Sequence, residues 1–446
     1  YILIEYFYIY YIYIMSLASG GYFVKVAQIE EQIEALDVSA GNVLQKIEDL
    51  SGSVIEFKAE FQDLSAEVQD LSTNKQDVLT AGTNITIVNN VISSTGTSAS
   101  LSLHEYNGIP NKELDTTSIV DISGATLYGS NKYNGGVLAP NGKIYGIPRD
   151  ADRVLIIDPT TNTTSYFTSS SIPVLTGKYN GGVLAPNGKI YCVPFVRPSV
   201  LIIDPVTDTA SLIDVGVATI NKYWGAVLAP NGKIYGIPFS QTNVLIIDPE
   251  TDTADITTIT GLTGNTKYNG GVLAPNGKIY GMPFDAENVL IIDPVTDTAD
   301  TTTISTGLVG QDKYNGGVLA PNGKIYGIPY TAENVLIIDP ETNTIDTTTI
   351  TGITGTNKYV GGVLAPDGKI YCIAYNADNV LVIDPETDTF TTIAGLSTDT
   401  LKYFGGVLAP NGVIYGIPAV STNVLQIKTG LPKYPNYMLQ AYFNKF

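Results

Sequence analysis

Residues 313–329 read KYNGGVLAPNGKIYGIP, and the same phrase with small changes occurs seven times. Its lysine falls at Lys132, Lys178, Lys222, Lys267, Lys313, Lys358 and Lys402, so the period stays within 44–46 residues. A unit of that length with several short strand signals has the size of one four-stranded propeller blade, which must stack on neighbours to bury its faces. Seven units predict an all-β, seven-bladed β-propeller over residues 111–430.

The fourth unit shows the expected blade. Residues 268–274 are apolar around a glycine pair, Pro275-Asn276-Gly277 makes a tight turn, and residues 278–283 return as KIYGMP. After the loop FDAEN, the run VLIID at 289–293 reads as a buried third strand, and PVTDT at 294–298 supplies turn chemistry. The β-branched TTTI at 301–304 is the expected fourth strand. The seventh unit stops after residues 424–427 (VLQI) and lacks its last turn and strand. Residues 114–119 (LDTTSI) match 345–350 (IDTTTI) in pattern, so an N-terminal strand is expected to complete the last blade.

Upstream, apolar residues at Val26, Ile33, Ala40, Ile47, Val54, Phe61 and Val68, and at Ile29, Leu36, Val43, Leu50, Phe57, Leu64, Leu71 and Val78, each step by seven. That pattern predicts a left-handed α-helical coiled coil over 25–79 that makes a homodimer or homotrimer. Between it and the ring, residues 80–110 form a connector. There ITI at 85–87 and VIS at 91–93 flank Asn89-Asn90 as a short β-hairpin, followed by a Ser/Thr/Gly stretch.

The segment KQDVLTAGTNITI..NNVIS, beginning at Lys75, resembles one found in fibre and attachment proteins of tailed phages and large algal viruses. The resemblance implies an oligomeric shaft carrying a receptor-binding head at a virion surface. More loosely, the repeats are similar to YVTN-type surface propellers, a likeness that speaks to fold and not to function.

A net charge of −19 and a pI near 4.3 exclude a nucleic-acid reader, whose phosphate-binding face needs clustered Lys and Arg. Cys192 and Cys372 stand where other IYG motifs have Gly, in blades two and six, and read as small buried apolar residues beyond disulfide reach. Residues 1–24 are an apolar N-terminal segment. Its first fourteen residues, YILIEYFYIYYIYI before Met15, read as translated AT-rich upstream DNA; membrane insertion is the competing reading, disfavoured by the short apolar length. Residues 431–446 form an aromatic C-terminal tail.

No catalytic constellation is visible, because the single histidine, His104, lies in the connector. Neither an enzyme, a cofactor nor a metal is expected. The repeated Asp of IIDP (Asp158, Asp204, Asp248, Asp293, Asp339, Asp384) and the Asp or Asn of the next turn fit Asx turns and lack the oxygen ladder of a calcium loop. Lysines of the PNGK turn should share that face and pair with those carboxylates.

The opposite face gathers the Lys-Tyr pairs and the loops between second and third strands. After Lys-Tyr the residues are Asn134, Asn180, Trp224, Asn269, Asn315, Val360 and Phe404, so three blades break the pattern. The loops add Arg149, Arg153, Phe195, Arg197, Phe239, Phe284, Tyr330 and Tyr375. Aromatics beside amides and cations on a rigid scaffold suit binding of a host surface glycan or protein, with Lys222 and Lys402 at the edge of the candidate site. The competing reading makes Lys and Tyr caps of the blade edges, with the tyrosines packed between blades. The expected function is thus a structural, receptor-binding fibre protein, extracellular or on a virion; a cellular or S-layer-like surface scaffold is the alternative.

Overall fold

The computed structural model describes residues 130–429 apart from 217–219 and 306, and the backbone of short strands at 85–88, 91–94, 117–120 and 123–124. The chain divides into two compact units, Tyr1–Asn111 and Lys112–Phe446. In the first, Ile85–Val88 and Val91–Ser94 pair antiparallel with Val88 opposite Val91, which is the hairpin read around Asn89-Asn90. The heptad segment 25–79, the N-terminal segment 1–24 and the tail 431–446 lie outside the described residues.

The second unit is a seven-bladed all-β propeller, one sheet per repeat with strand order following the chain. In the fifth blade Tyr314–Leu319, Ile325–Pro329, Leu336–Asp339 and Thr344–Asp346 pair successively antiparallel, inner to outer. Burial explains why each run is a strand. IYGIP is buried throughout, and LIID is buried up to its aspartate, so both carry apolar side chains on both faces. The clusters they form lie between blades: Tyr326, Ile328 and Ile337 of the fifth pack with Ile370, Cys372 and Leu381 of the sixth. Each such fully buried aliphatic side chain contributes about 1.5–3 kcal/mol.

The glycine pair of the inner strand is a packing requirement. Gly225 has φ +76°, and a Cβ on it would stand 3.1 Å from the Cα of Gly270 in the next blade. Backbones of adjacent inner strands therefore meet with no room for a side chain. The second glycine faces the preceding blade: a Cβ on Gly271 would lie 2.7 Å from Ile237 Cδ1, and one on Gly406 the same distance from Ile373 Cδ1. In the third blade that slot holds Ala226, and the residue it meets from blade two is Val193, one methylene shorter than isoleucine, in the same cluster.

On the turn face, neighbouring blades are joined by a repeated clasp. Asn231 Nδ2 donates to the Pro294 carbonyl at 2.9 Å and to Tyr235 Oη at 2.9 Å, while Tyr235 Oη donates to Asp297 Oδ1 at 2.5 Å. Asp297 sits in the left-handed region at φ 51°, which aspartate tolerates in a turn. The clasp recurs around the ring, including Asn411–Pro159 and Tyr415–Asn162 between the last blade and the first. Blade seven has no such turn for blade six to reach. There the PNGK asparagine is replaced by Asp367, whose Oδ2 accepts from Tyr371 Oη at 2.7 Å within the blade.

Ring closure follows the sequence expectation. Thr117–Val120 pairs antiparallel with Val424–Lys428, Thr117 opposite Ile427, and becomes the outer strand of blade seven. Two residues further on, Ser123–Gly124 pairs parallel with Thr163–Thr168, the outer strand of blade one. One short stretch thus ties the last blade to the first.

The outer strands correct the sequence reading. In blade four the fourth strand is Thr298–Asp300, not TTTI at 301–304. Asp300 stops it: its Oδ1 accepts from the Thr302 amide at 2.7 Å and its Oδ2 from Thr303 Oγ1, which turns the chain. Ile304 then folds inward, 4% exposed, and its carbonyl accepts from the Val289 amide at 3.0 Å. The same bonds hold Asp300 down to about 2.

The IIDP aspartates make the Asx turns expected of them; Asp293 Oδ1 accepts from the Val295 amide at 3.0 Å. Among the described residues, PNGK lysines form two ion pairs, Lys278–Asp293 at 3.5 Å and Lys189–Asp252 at 3.7 Å. Cys192 and Cys372 are buried free thiols, raised well above their ordinary pKa by desolvation.

Candidate functional site

The seven Lys-Tyr pairs and the residues that follow IYGIP build a closed circle of backbone hydrogen bonds at one mouth of the central channel. Within a blade, the amide after the proline donates to the lysine carbonyl, as Phe239 to Lys222 at 2.9 Å. Between blades, the carbonyl of that residue accepts from the next lysine amide, as Phe239 from Lys267 at 2.7 Å. The alternation runs through every blade and closes with Lys132 on the Ala419 carbonyl at 3.0 Å. The lysine side chains strengthen the same belt. Lys222 Nζ donates to the Val196 carbonyl at 3.0 Å, and Lys402 Nζ to the Asp399 carbonyl at 2.6 Å. Both are buried, so Lys222 and Lys402 spend their ammonium groups inside the protein. Burial pulls Lys132, Lys178, Lys222, Lys267 and Lys358 down to about 8, with Arg197 adding repulsion at Lys178 and Lys222.

The Lys-Tyr tyrosines are also internal. Tyr359 Oη donates to Asn379 Oδ1 at 2.6 Å, and Tyr223, Tyr268 and Tyr314 reach Asn243, Asn288 and Asn334 in the same way. Blade two departs: Ser199 takes the asparagine's place, and Tyr179 Oη and Ser199 Oγ are both buried without a partner. Asn180 Nδ2 and Arg197 Nε in that blade are unpartnered as well.

The belt fixes seven side chains around the axis: Arg149, Phe195, Phe239, Phe284, Tyr330, Tyr375 and Ala419. Their aromatic members form a chain of ring contacts, Phe195–Phe239 at 5.9 Å, Phe239–Phe284 at 5.6 Å, Phe284–Tyr330 at 5.7 Å and Tyr330–Tyr375 at 6.0 Å. Phe404 and Trp224, from the slot after Lys-Tyr, complete the circuit: Tyr375–Phe404 at 5.1 Å, Phe404–Trp224 at 6.0 Å and Trp224–Phe195 at 5.3 Å. Such tilted and edge contacts favour the rings beyond their area alone.

The rings grouped by sequence as ligand contacts are therefore brought together, but mostly against one another. Phe195, Phe239, Phe284, Tyr375, Phe404 and Val360 are buried, while Trp224, Tyr330, Arg149 and Arg197 are half-exposed. The reason is geometric: inner strands stripped to glycine leave the channel wide, and larger side chains above it fill the space. Below this cap lies a cavity of about 200 Å³, lined by the glycine pairs, by Leu and Val side chains, and by Asn134, Trp224, Asn269, Asn315, Val360 and Phe404. Asn134 Nδ2 donates to Asn180 Oδ1 at 2.9 Å, whereas Asn269 Nδ2 has no partner.

Arg149 is the one charged member of the axial set. Its guanidinium carbon is 5.6 Å from the centre of the Phe404 ring, 5.8 Å from Trp224 and 5.9 Å from Phe195. Its Nε is buried and unpartnered. Arg153 lies elsewhere, stacked 4.6 Å over Tyr166 and paired with Asp152 at 2.7 Å. Ala419 and Ser199 were not singled out by the sequence reading, although each breaks an aligned column of the repeat.

No family model and no curated protein matches the chain. Solved structures do. A streptogramin B lyase is 12% identical with a TM-score of 0.58, covering 70% of this chain and 97% of that one. The Staphylococcus aureus virginiamycin B lyase is 9% identical with the same TM-score, covering 70% and 99%. An extracellular domain from B. thetaiotaomicron is 11% identical with a TM-score of 0.54, covering 71% of this chain and 44% of its own. At these identities the likeness is one of fold.

Proposed function

We propose that the propeller is a non-enzymatic recognition head, carried by an oligomeric fibre-like stalk at a virion or other extracellular surface, and that the capped mouth binds a surface glycan. One observation carries the reading. The backbone belt is sevenfold, yet its side chains depart from the repeat at Arg149, Trp224, Val360, Phe404 and Ala419, all around one mouth. The belt does not need these departures, and a binding site on a symmetric ring does. The heptads at 25–79 and the segment resembling virus fibre proteins support the stalk; several heads on one stalk would add avidity. The absence of histidine from residues 111–430 favours binding over acid–base chemistry.

Trp224→Asn and Phe404→Asn put the repeat's own residue in place of the ring. On a glycan array the full chain is expected to bind and both variants to lose binding while still unfolding in one cooperative transition. Binding that survives both changes rejects the mouth as the site.

A further inference from the structure

We infer that the ligand's anchoring group is a carboxylate, seated on Arg149 at the capped mouth, and that the glycan recognised is therefore an acidic sugar. The inference rests on the glycan-binding reading for the sugar, and on Arg149 alone for the carboxylate.

Five of the seven axial positions carry an aromatic ring, and Arg149 and Ala419 occupy adjoining blades across the ring's closing seam. The smallest side chain of the set thus stands beside its only cation. Arg149 belongs to none of the ion pairs among the described residues, and its buried Nε meets no acceptor. Three aromatic rings hold the guanidinium in place, which fixes its direction without giving its Nε an acceptor. Buried donors are normally paired, and a planar guanidinium matches a carboxylate with two parallel hydrogen bonds. Half-exposed Trp224 and Tyr330 offer ring faces on which the apolar side of a sugar can lie.

The molecule carries its own reporter, because Trp224 is its only tryptophan and Arg149 lies against it. Tryptophan emission of the full chain is titrated with glucuronate, glucose and acetate at constant ionic strength. Glucuronate is expected to change the emission saturably and glucose to do so at least about tenfold more weakly. Arg149→Gln is expected to abolish the glucuronate response, and Arg149→Lys to weaken it at least about tenfold because the fork is lost. If acetate matches glucuronate, the carboxylate site stands and the sugar reading falls. If no carboxylate changes the emission, or Arg149→Gln responds like the parent, the inference is overturned.

Discussion

The two faces of the ring treat the repeat differently. On the turn face, Asn231, Tyr235, Pro294 and Asp297 join blades three and four through side-chain bonds, and equivalents of these residues recur around the ring. At the mouth, neighbouring blades are joined by the backbone belt, and side chains there are free to differ. Departures from the repeat accordingly fall into two kinds. Some are compensated: Asp367 replaces asparagine where blade seven offers no turn, and Val193 shortens where Ala226 replaces glycine. Others leave polar atoms unpaired, as at Arg149 and in the blade-two set of Tyr179, Arg197 and Ser199. A compensated change serves the blade; the uncompensated one at Arg149 lies at the half-exposed mouth, whereas Tyr179 and Ser199 of the blade-two set are buried.

The sharpest way to break this comparison is to remove the closing strand. Deleting residues 111–122 takes away the outer strand of blade seven, and a single cooperative melting transition should be lost. A melt like the parent's would show that the ring holds without its seam. Next comes the compensated pair. Val193→Ile should cost about 1–3 kcal/mol by overpacking against Ala226, and Ala226→Gly in the same chain should recover most of it. Equal and additive losses in a denaturant titration would mean that the two sites are independent. A smaller gain is expected from Ser199→Asn, which restores the tyrosine–asparagine bond of blades three to six and should stabilise by about 0.5–1.5 kcal/mol.

The mouth also predicts a pH signature. The belt lysines drop from an ordinary 10.5 to about 8, so between those values the unfolded chain binds more protons and stability should rise with pH. Buried tyrosines move the other way, upward from 10.0, Tyr145 and Tyr179 to about 12, so above about pH 10 the unfolded chain loses protons first and stability should fall. Thermal melts are expected to show a maximum near pH 10, and a monotonic decline from pH 8 would contradict the lysine assignment.

Much of this fold was legible in one dimension. The spacing of Lys132 through Lys402 gave seven blades, and PNG between apolar runs gave the inner hairpin. The truncated seventh unit pointed to an N-terminal closing strand. The outer strand was misplaced because β-branched Thr301–Ile304 reads as strand while the Asp300 side chain turns the chain there. The site residues were legible as a set and not in their exposure. Phe195 and Phe284 look like display residues in a loop, and only the ring closes them over the channel.

By itself, then, the sequence determined the number of blades, the three inner strands of each and the aligned columns in which Arg149, Trp224 and Phe404 stand out, because local hydrophobic period and turn residues act over a few positions. The tertiary structure decided which side chains meet. Val193 with Ala226, Tyr235 with Asp297, and Arg149 with Trp224 and Phe404 belong to different blades, and their contacts exist only once the blades stack around the ring.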